Sequence, residues 1–201
     1  EIDLATSAEA GQQLFRKEFG PEDGMNHVFS ANSCVACHSH PIEGGFSKDD
    51  AHFVRRVSQY SKLTGHFNPV ESHNFPVAKR SDVSELGETP EQSAGIPMEA
   101  NIVSMRMPLS LLDIGRLDEI PDYVIKANAR SQGYGIQGRV NLIDTKDGKK
   151  IGRYGWKADQ PSLIHMVADA LATELGIDNA HTLAYEMRAA KRKANEKASA
   201  A

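Results

Sequence analysis

Both cysteines of the chain sit in one pentapeptide, Cys34-Val35-Ala36-Cys37-His38. A CxxC pair serves three common chemistries: a redox dithiol, half of a zinc site, or a haem anchor. A zinc site needs four ligands, and the sequence holds no second cysteine pair to supply them. A thioredoxin-like dithiol follows a strand and opens a helix in a βαβ context, and nothing before Cys34 reads as that strand. The histidine directly after the second cysteine fits the third chemistry. Two thioethers hold the vinyl groups of the haem, and the next residue reaches the iron from below. The expected cofactor is one covalent haem c, anchored by Cys34 and Cys37, with His38 as proximal iron ligand.

Composition agrees with a single haem domain. A chain of 201 residues suits one domain. An apolar fraction of 40% with 25% charged residues supports a core and argues against disorder throughout. Aromatic residues make up only 6%, and a haem would add a large flat apolar group to such a core. The net charge of −4 is unlike that of a nucleic-acid binder. No run approaches the ~18 apolar residues of a membrane span. The chain opens Glu1-Ile2-Asp3-Leu4 without an initiator Met. With covalent haem, this predicts an exported, periplasmic protein from which a signal peptide has been removed.

The expected fold is mainly α, a cytochrome c-like haem domain with long irregular loops and a small β-hairpin. Thr6 with Glu9 fits a capping box, and Leu14, Phe15 and Phe19 continue that helix to Gly20-Pro21. Asp49 and Asp50 are read as the start of a short helix through Phe53, Val54 and Val57. Residues 60–103 hold Pro69, Pro76, Pro90 and Pro97 and read as a long irregular insertion with one or two short strands. Leu109, Leu111, Leu112 and Leu117 suggest a short helix, and Pro121 suits the first turn of another through Tyr123, Val124 and Ile125. Residues 138–143 and 149–154 are predicted strands around Asp147-Gly148. Pro161 to Leu175 is a predicted helix with Leu163, Met166, Val167, Ala170 and Leu171 on one face and Gly176 as its cap. A last helix is expected from about His181. The domain is drawn at 1–187, with 188–201 a basic helical or frayed tail.

Several segments together resemble one bacterial family. They are Gly11-Gln12-Gln13-Leu14-Phe15, Phe29 to Gly45, Ser104 to Pro121, Gly135 to Asn141 and Gly152 to Leu163. Their order is similar to that in the di-haem oxidoreductases known as thiol oxidoreductases, themselves distantly similar to di-haem cytochrome c peroxidases. Members of that family are longer and carry a second CxxCH toward the C-terminus. The resemblance therefore implies the N-terminal mono-haem half. It also implies a redox protein or a second haem-bearing subunit as partner, in an oligomer or hetero-complex. In such peroxidases a tryptophan lies between the haems, so Trp156 is a candidate for that role. Its other reading is a packing anchor between the hairpin and the helix from Pro161. Asp144, Asp147 and Asp159 are candidates for a Ca²⁺ ion of the kind those peroxidases bind, although their spacing fits no EF-hand.

The second axial position of the iron separates electron transfer from small-molecule chemistry. Met107 and Met105 lead the candidates, with Met98 behind them. An extended chain alternates its side chains, so at most one of Met105 and Met107 is expected to face the iron. As packing residues they would be flexible gap-fillers. His66 and His73, in the irregular stretch, compete with them. His40 reads as exposed or as a propionate neighbour, and His27 is also close to the motif. His52, His165 and His181 read as polar-face histidines. Among Arg106, Arg116, Arg139 and Arg153, Arg106 is first choice to fork onto a haem propionate, the competing role being a structural salt bridge. Gly133 to Gly138 is not a nucleotide loop, since no strand feeds it.

The function that follows is a periplasmic mono-haem c-type cytochrome, an electron carrier working as a subunit of a larger redox complex. The alternative is a peroxidase-like or thiol-oxidising enzyme subunit with an open distal site. Glu43 and His40 would be its acid–base candidates.

Overall fold

The computed structural model describes residues 4–26, 29–49, 52–69, 77–78 and 98–199. The chain divides into two compact units, Glu1–Leu112 with Thr173–Asp178 and Asp113–Ala172 with Asn179–Ala201.

The first unit begins with helix α1 (Leu4–Arg16). It starts ahead of Thr6, so Thr6 and Glu9 lie inside the helix and do not cap it. It also ends short of Gly20-Pro21, where a separate 3-10 turn forms over Pro21–Asp23. The Asp23 carboxylate accepts the Gly20 N–H at 3.2 Å and pairs with Lys17. Helix α2 (Cys34–Cys37) is a single turn.

Strand β1 (Val54–Tyr60) occupies the place of the expected helix through Val57. Val54-Arg55-Arg56-Val57 fits either period over so short a run, and distant partners decide it. Strand β2 (Phe67–Pro69) pairs antiparallel with residues 58–60 of β1, and β3 (Val77–Ala78) with residues 55–56. Strand β4 (Ile102–Arg106) runs antiparallel along β1 from Val54↔Arg106 to Ser58↔Ile102. Val57 is buried in this sheet, with Ala100 packed against it. The expected irregular stretch therefore contributes three strands. Pro76, Pro90, Pro97 and His73 lie outside the described residues, as does His27.

In the second unit, Asp113 takes a left-handed φ of 60° and leads into a 3-10 helix, Ile114–Glu119. This stands where the leucines of 109–117 predicted a helix. Helix α3 (Asp122–Asn128) begins directly behind Pro121, whose φ of −63° suits its N-cap. Strands β5 (Ser131–Gly133) and β6 (Ile136–Gln137) form a second small sheet around Tyr134-Gly135. Strands β7 (Leu142–Thr145) and β8 (Gly148–Ile151) make the expected hairpin, shorter than predicted and turning on Lys146-Asp147. Helix α4 (Leu163–Thr173) is rotated from its predicted face. Ala168 and Ala172 are buried, while Val167 is exposed. Helix α5 (Leu183–Ser199) runs on through the basic tail.

The mainly α, cytochrome c-like expectation is thus overturned. The structure is mixed, 35% helical and 20% strand, with three small antiparallel sheets among the described residues. The largest sheet joins segments some forty residues apart, so its pairing leaves no local periodicity to read. No helix among the described residues is long and apolar enough to cross a membrane.

Candidate haem-attachment site

The motif is built on one helical turn with a folded loop behind it, all within the first unit. Ser33 is extended and buried, and turns the chain into α2. Residues three apart on a helix are neighbours, so Cys34 and Cys37 share one side of the turn. His38 leaves the helical region at φ −121°, and its N–H donates to the Cys34 carbonyl at 3.0 Å. Ahead of the motif, the N–H groups of Ser30 and Ala31 donate to the Glu174 carbonyl at 2.6 and 3.3 Å. The Phe19 N–H donates to the Asn32 carbonyl at 2.8 Å.

Behind the motif the chain doubles back. His40 and Phe46 exchange two backbone hydrogen bonds of 2.8 and 2.7 Å, and their rings meet edge to face at 5.0 Å. The Gly44 N–H donates to the His38 carbonyl at 2.9 Å. Gly45 sits at the centre of this loop, where a Cβ would collide with the His40 carbonyl oxygen and lie 2.9 Å from that of Ile42. Only glycine fits such a close approach of backbone. Its carbonyl lies 3.1 Å from Nδ1 of His38. A carbonyl can only accept, so this bond places the proton on Nδ1 and leaves Nε2 with its lone pair.

Electrostatics act in the same direction. Burial lowers the His38 pKa, against the opposing pull of the Gly45 and Leu109 carbonyls, which favours the neutral imidazole. Burial raises the Cys34 thiol. Burial also pushes Cys37 up to about 12, helped by the charge of Glu174 and by Cys34. The two cysteines are not joined in a disulfide. A catalytic dithiol needs a lowered thiol pKa, so these values disfavour a redox CxxC. Two protonated thiols on one side of a turn, followed by a neutral imidazole anchored through Nδ1, match what haem c requires of its donors.

The other predicted residues divide by unit. In the first, Met105 and Met107 are 51% and 38% exposed. Met105 lies on β4 opposite Arg55, and Arg106 lies opposite Val54 and is half-buried. Residues two apart on an extended chain share a side. Met105 and Met107 therefore point the same way, against the expectation that they diverge. Met98 is fully exposed, and His66 is exposed in the turn between β1 and β2. His52 bonds to Ser47 through Nδ1 at 3.2 Å. Glu43 is taken by Arg16 at 2.7 Å.

In the second unit, Arg153 is a structural clamp. It donates to the carbonyls of Leu117 and Ile120 at 2.9 and 2.6 Å and pairs with Asp122 at 2.6 Å. Arg116 pairs with Asp113, and Arg139 is exposed. Trp156 is 46% exposed on the turn after Tyr154, and the buried aromatic there is Tyr154, 1% exposed. Asp144 and Asp147 pair with Lys149 and Lys150 on the hairpin. Among the described residues, no group of three or more His, Cys, Asp or Glu is placed to hold a metal ion. His181 is exposed.

Sequence reasoning missed the part played by Gly45, for which the signal was the Gly44-Gly45 pair close behind the motif. It also missed a polar chain in the second unit. Ser162 Oγ lies 2.6 Å from His165 Nδ1, and Glu186 lies 3.5 Å from His165 Nε2 and 3.3 Å from Lys146. Ser162 precedes α4 directly, a position where a hydroxyl serves as helix cap.

No family model matches the chain, and neither the curated proteins nor the solved structures give a significant match to it.

Proposed function

We propose that the chain is a periplasmic mono-haem c-type cytochrome that carries electrons to or from a redox partner, as a subunit of a larger redox complex. One observation carries this reading: Cys34, Cys37 and His38 follow one another on a single turn, with Nδ1 of His38 anchored on the Gly45 carbonyl. Haem c, when bound, supplies a one-electron Fe(III)/Fe(II) couple.

The chain's own residues do the rest. Cys34 and Cys37 hold the group through two thioethers. Gly45 fixes the imidazole ring through Nδ1, so that Nε2 serves the iron. Met107 and Met105 are the candidates for a thioether donor to the iron, which would favour electron transfer over small-molecule chemistry. Arg106, half-buried on the strand that also carries Met105, is assigned to a propionate. Engagement of Glu43 by Arg16, and of His40 by Phe46, weighs against a distal acid–base pair and hence against the peroxidase-like alternative.

The test is to produce the chain with cytochrome c maturation and record optical and EPR spectra. Covalent haem lost in Cys34→Ala and Cys37→Ala, and a low-spin ferric signal, are expected. A high-spin ferric haem that binds cyanide at once overturns the carrier reading in favour of the enzymatic one. A native mass showing a single chain with one haem overturns the subunit assignment.

A further inference from the structure

The residues that follow β4 return to the motif from far along the chain. Pro108 is buried, and its ring fixes the backbone where this return begins. The Leu111 N–H donates to the Gly44 carbonyl at 2.6 Å, and the Ser110 hydroxyl reaches the same oxygen at 3.5 Å from 66 residues away. The Leu112 N–H donates in turn to Ser110 Oγ at 3.3 Å. The Leu112 side chain lies over Gly44, with Cδ2 3.2 Å from where a Cβ on that glycine would stand. The Leu109 carbonyl faces the His38 ring.

Gly44 and Gly45 are where this segment acts. Their N–H groups stay within the motif loop: that of Gly44 donates to the His38 carbonyl and that of Gly45 to the Ile42 carbonyl, both at 2.9 Å. The Gly45 carbonyl takes Nδ1 of His38. The Gly44 carbonyl is the group held from outside the loop. Two successive glycines have wide backbone freedom, and Gly44 uses it, with a left-handed φ of 85°. The peptide plane between them turns easily unless both of its ends are bound. Leu111 and Ser110 bind its carbonyl end, and Ile42 binds its N–H end. Hydrogen bonds joined through one peptide group also strengthen one another.

We propose that Ser110-Leu111-Leu112 is a clasp that positions the His38 ring through the Gly44-Gly45 peptide, with Leu112 as its positioning side chain. Leucine packed on Gly44 keeps the Leu111 N–H in register with the carbonyl it binds. The next carbonyl, that of Gly45, is thereby aimed at Nδ1, which holds the proton there and leaves Nε2 with its lone pair. The inference rests on the haem reading for its purpose, since a fixed Nε2 donor serves the iron. Its test needs no haem.

The haem-free full-length chain, with its histidines labelled in 15N, is studied by NMR above the ordinary histidine range, where the imidazole 15N shifts give the tautomer of His38. The parent ring is expected to be mainly Nδ1–H. In Leu112→Ala the ratio of Nδ1–H to Nε2–H is expected to fall at least ~3-fold, as loss of one net hydrogen bond would produce. Leu112→Met, which conserves volume, is expected to keep the parent ratio. In the unsubstituted chain, the Leu111 and Gly45 amides are expected to exchange with solvent in one common opening, a result that depends on no variant. The inference is overturned by a parent ring that is mainly Nε2–H, by an alanine variant with the parent ratio, or by a methionine variant that loses it as far as alanine does. Free exchange at Leu111 while Gly45 stays protected overturns it as well. A chain that takes up no covalent haem during maturation fails the haem reading and leaves the clasp standing, so the two failures are told apart.

Discussion

The two units treat their polar groups in opposite ways. In the second, side chains close the structure on itself. Arg153, with only 11% of its side chain exposed, satisfies two loop carbonyls and a carboxylate. Tyr154 is fully buried beside it, and Asn141 donates to the carbonyls of Lys157 and Ala158 at 3.2 and 3.0 Å. In the first, backbone holds the candidate site together. Carbonyls hold the His38 ring and backbone bonds fold the 40–46 loop. The second unit is tied together through side chains, whereas the first is tied at its candidate site through backbone.

That contrast can be broken most severely at Gly45. In Gly45→Ala the new methyl group collides with the His40 carbonyl, and the loop carrying the Nδ1 acceptor must open. The expected result is a loss of at least ~10-fold in covalent haem per chain, measured by haem absorbance against protein mass. Unchanged haem content would mean that the loop does not position His38.

The second unit should break through packing instead. Tyr154→Ala is expected to cost ~3–5 kcal/mol in urea unfolding. Among the described residues its hydroxyl has no partner in hydrogen-bond geometry, and burial, with the Asp118 carboxylate nearby, pushes its pKa up to about 12. Tyr154→Phe should therefore stay within ~1 kcal/mol of the parent, or gain stability. A phenylalanine variant as unstable as the alanine one would show that the hydroxyl holds the unit together.

The smallest effect is the pH profile of the haem-free chain, and it separates the units again. Cys34 and Cys37 are raised, so the folded chain keeps protons that the unfolded chain sheds first. Their contribution is present below the ordinary thiol range and is lost as pH rises toward about 12. His38 is lowered, so its contribution is present above the ordinary histidine range and is lost on acidification. In the second unit, burial raises Glu186, but the bonds from Lys146 and His165 outweigh it and hold the carboxyl below the usual value. That contribution too is lost in acid. Haem attachment turns both thiols into thioethers, which do not titrate. Denaturation curves should accordingly lose their alkaline limb on loading and keep the acid limb due to Glu186. An alkaline limb that survives loading would contradict the assignment.

The sequence was most readable where structure is local. The β7–β8 hairpin, the start of α3 behind Pro121, and helices α4 and α5 all depend on residues a few positions apart, and the CxxCH pentapeptide stands out as a candidate site for the same reason. The β1–β4 sheet was not readable. Its strands are separated by a long proline-bearing stretch, and Val54 to Val57 alone suits either period. The rotation of α4 escaped for a related reason. Small alanines 168 and 172 form its buried face, and apolar size alone favoured Val167. Arg153 could be picked out as a carboxylate-binding arginine, but its three acceptors lie some thirty residues upstream and leave no pattern beside it.

The hydrogen bond from Leu111 to Gly44 has a consequence for assembly. It fastens the residues that follow β4 to the loop that holds the His38 ring. If the chain carries haem c as proposed, the macrocycle would have to reach the thiols of Cys34 and Cys37 beside this closed pair of segments. On the haem reading, attachment before this pair closes would leave nothing to reopen, whereas a chain that closes first would have to part the 40–46 loop from the residues that follow β4.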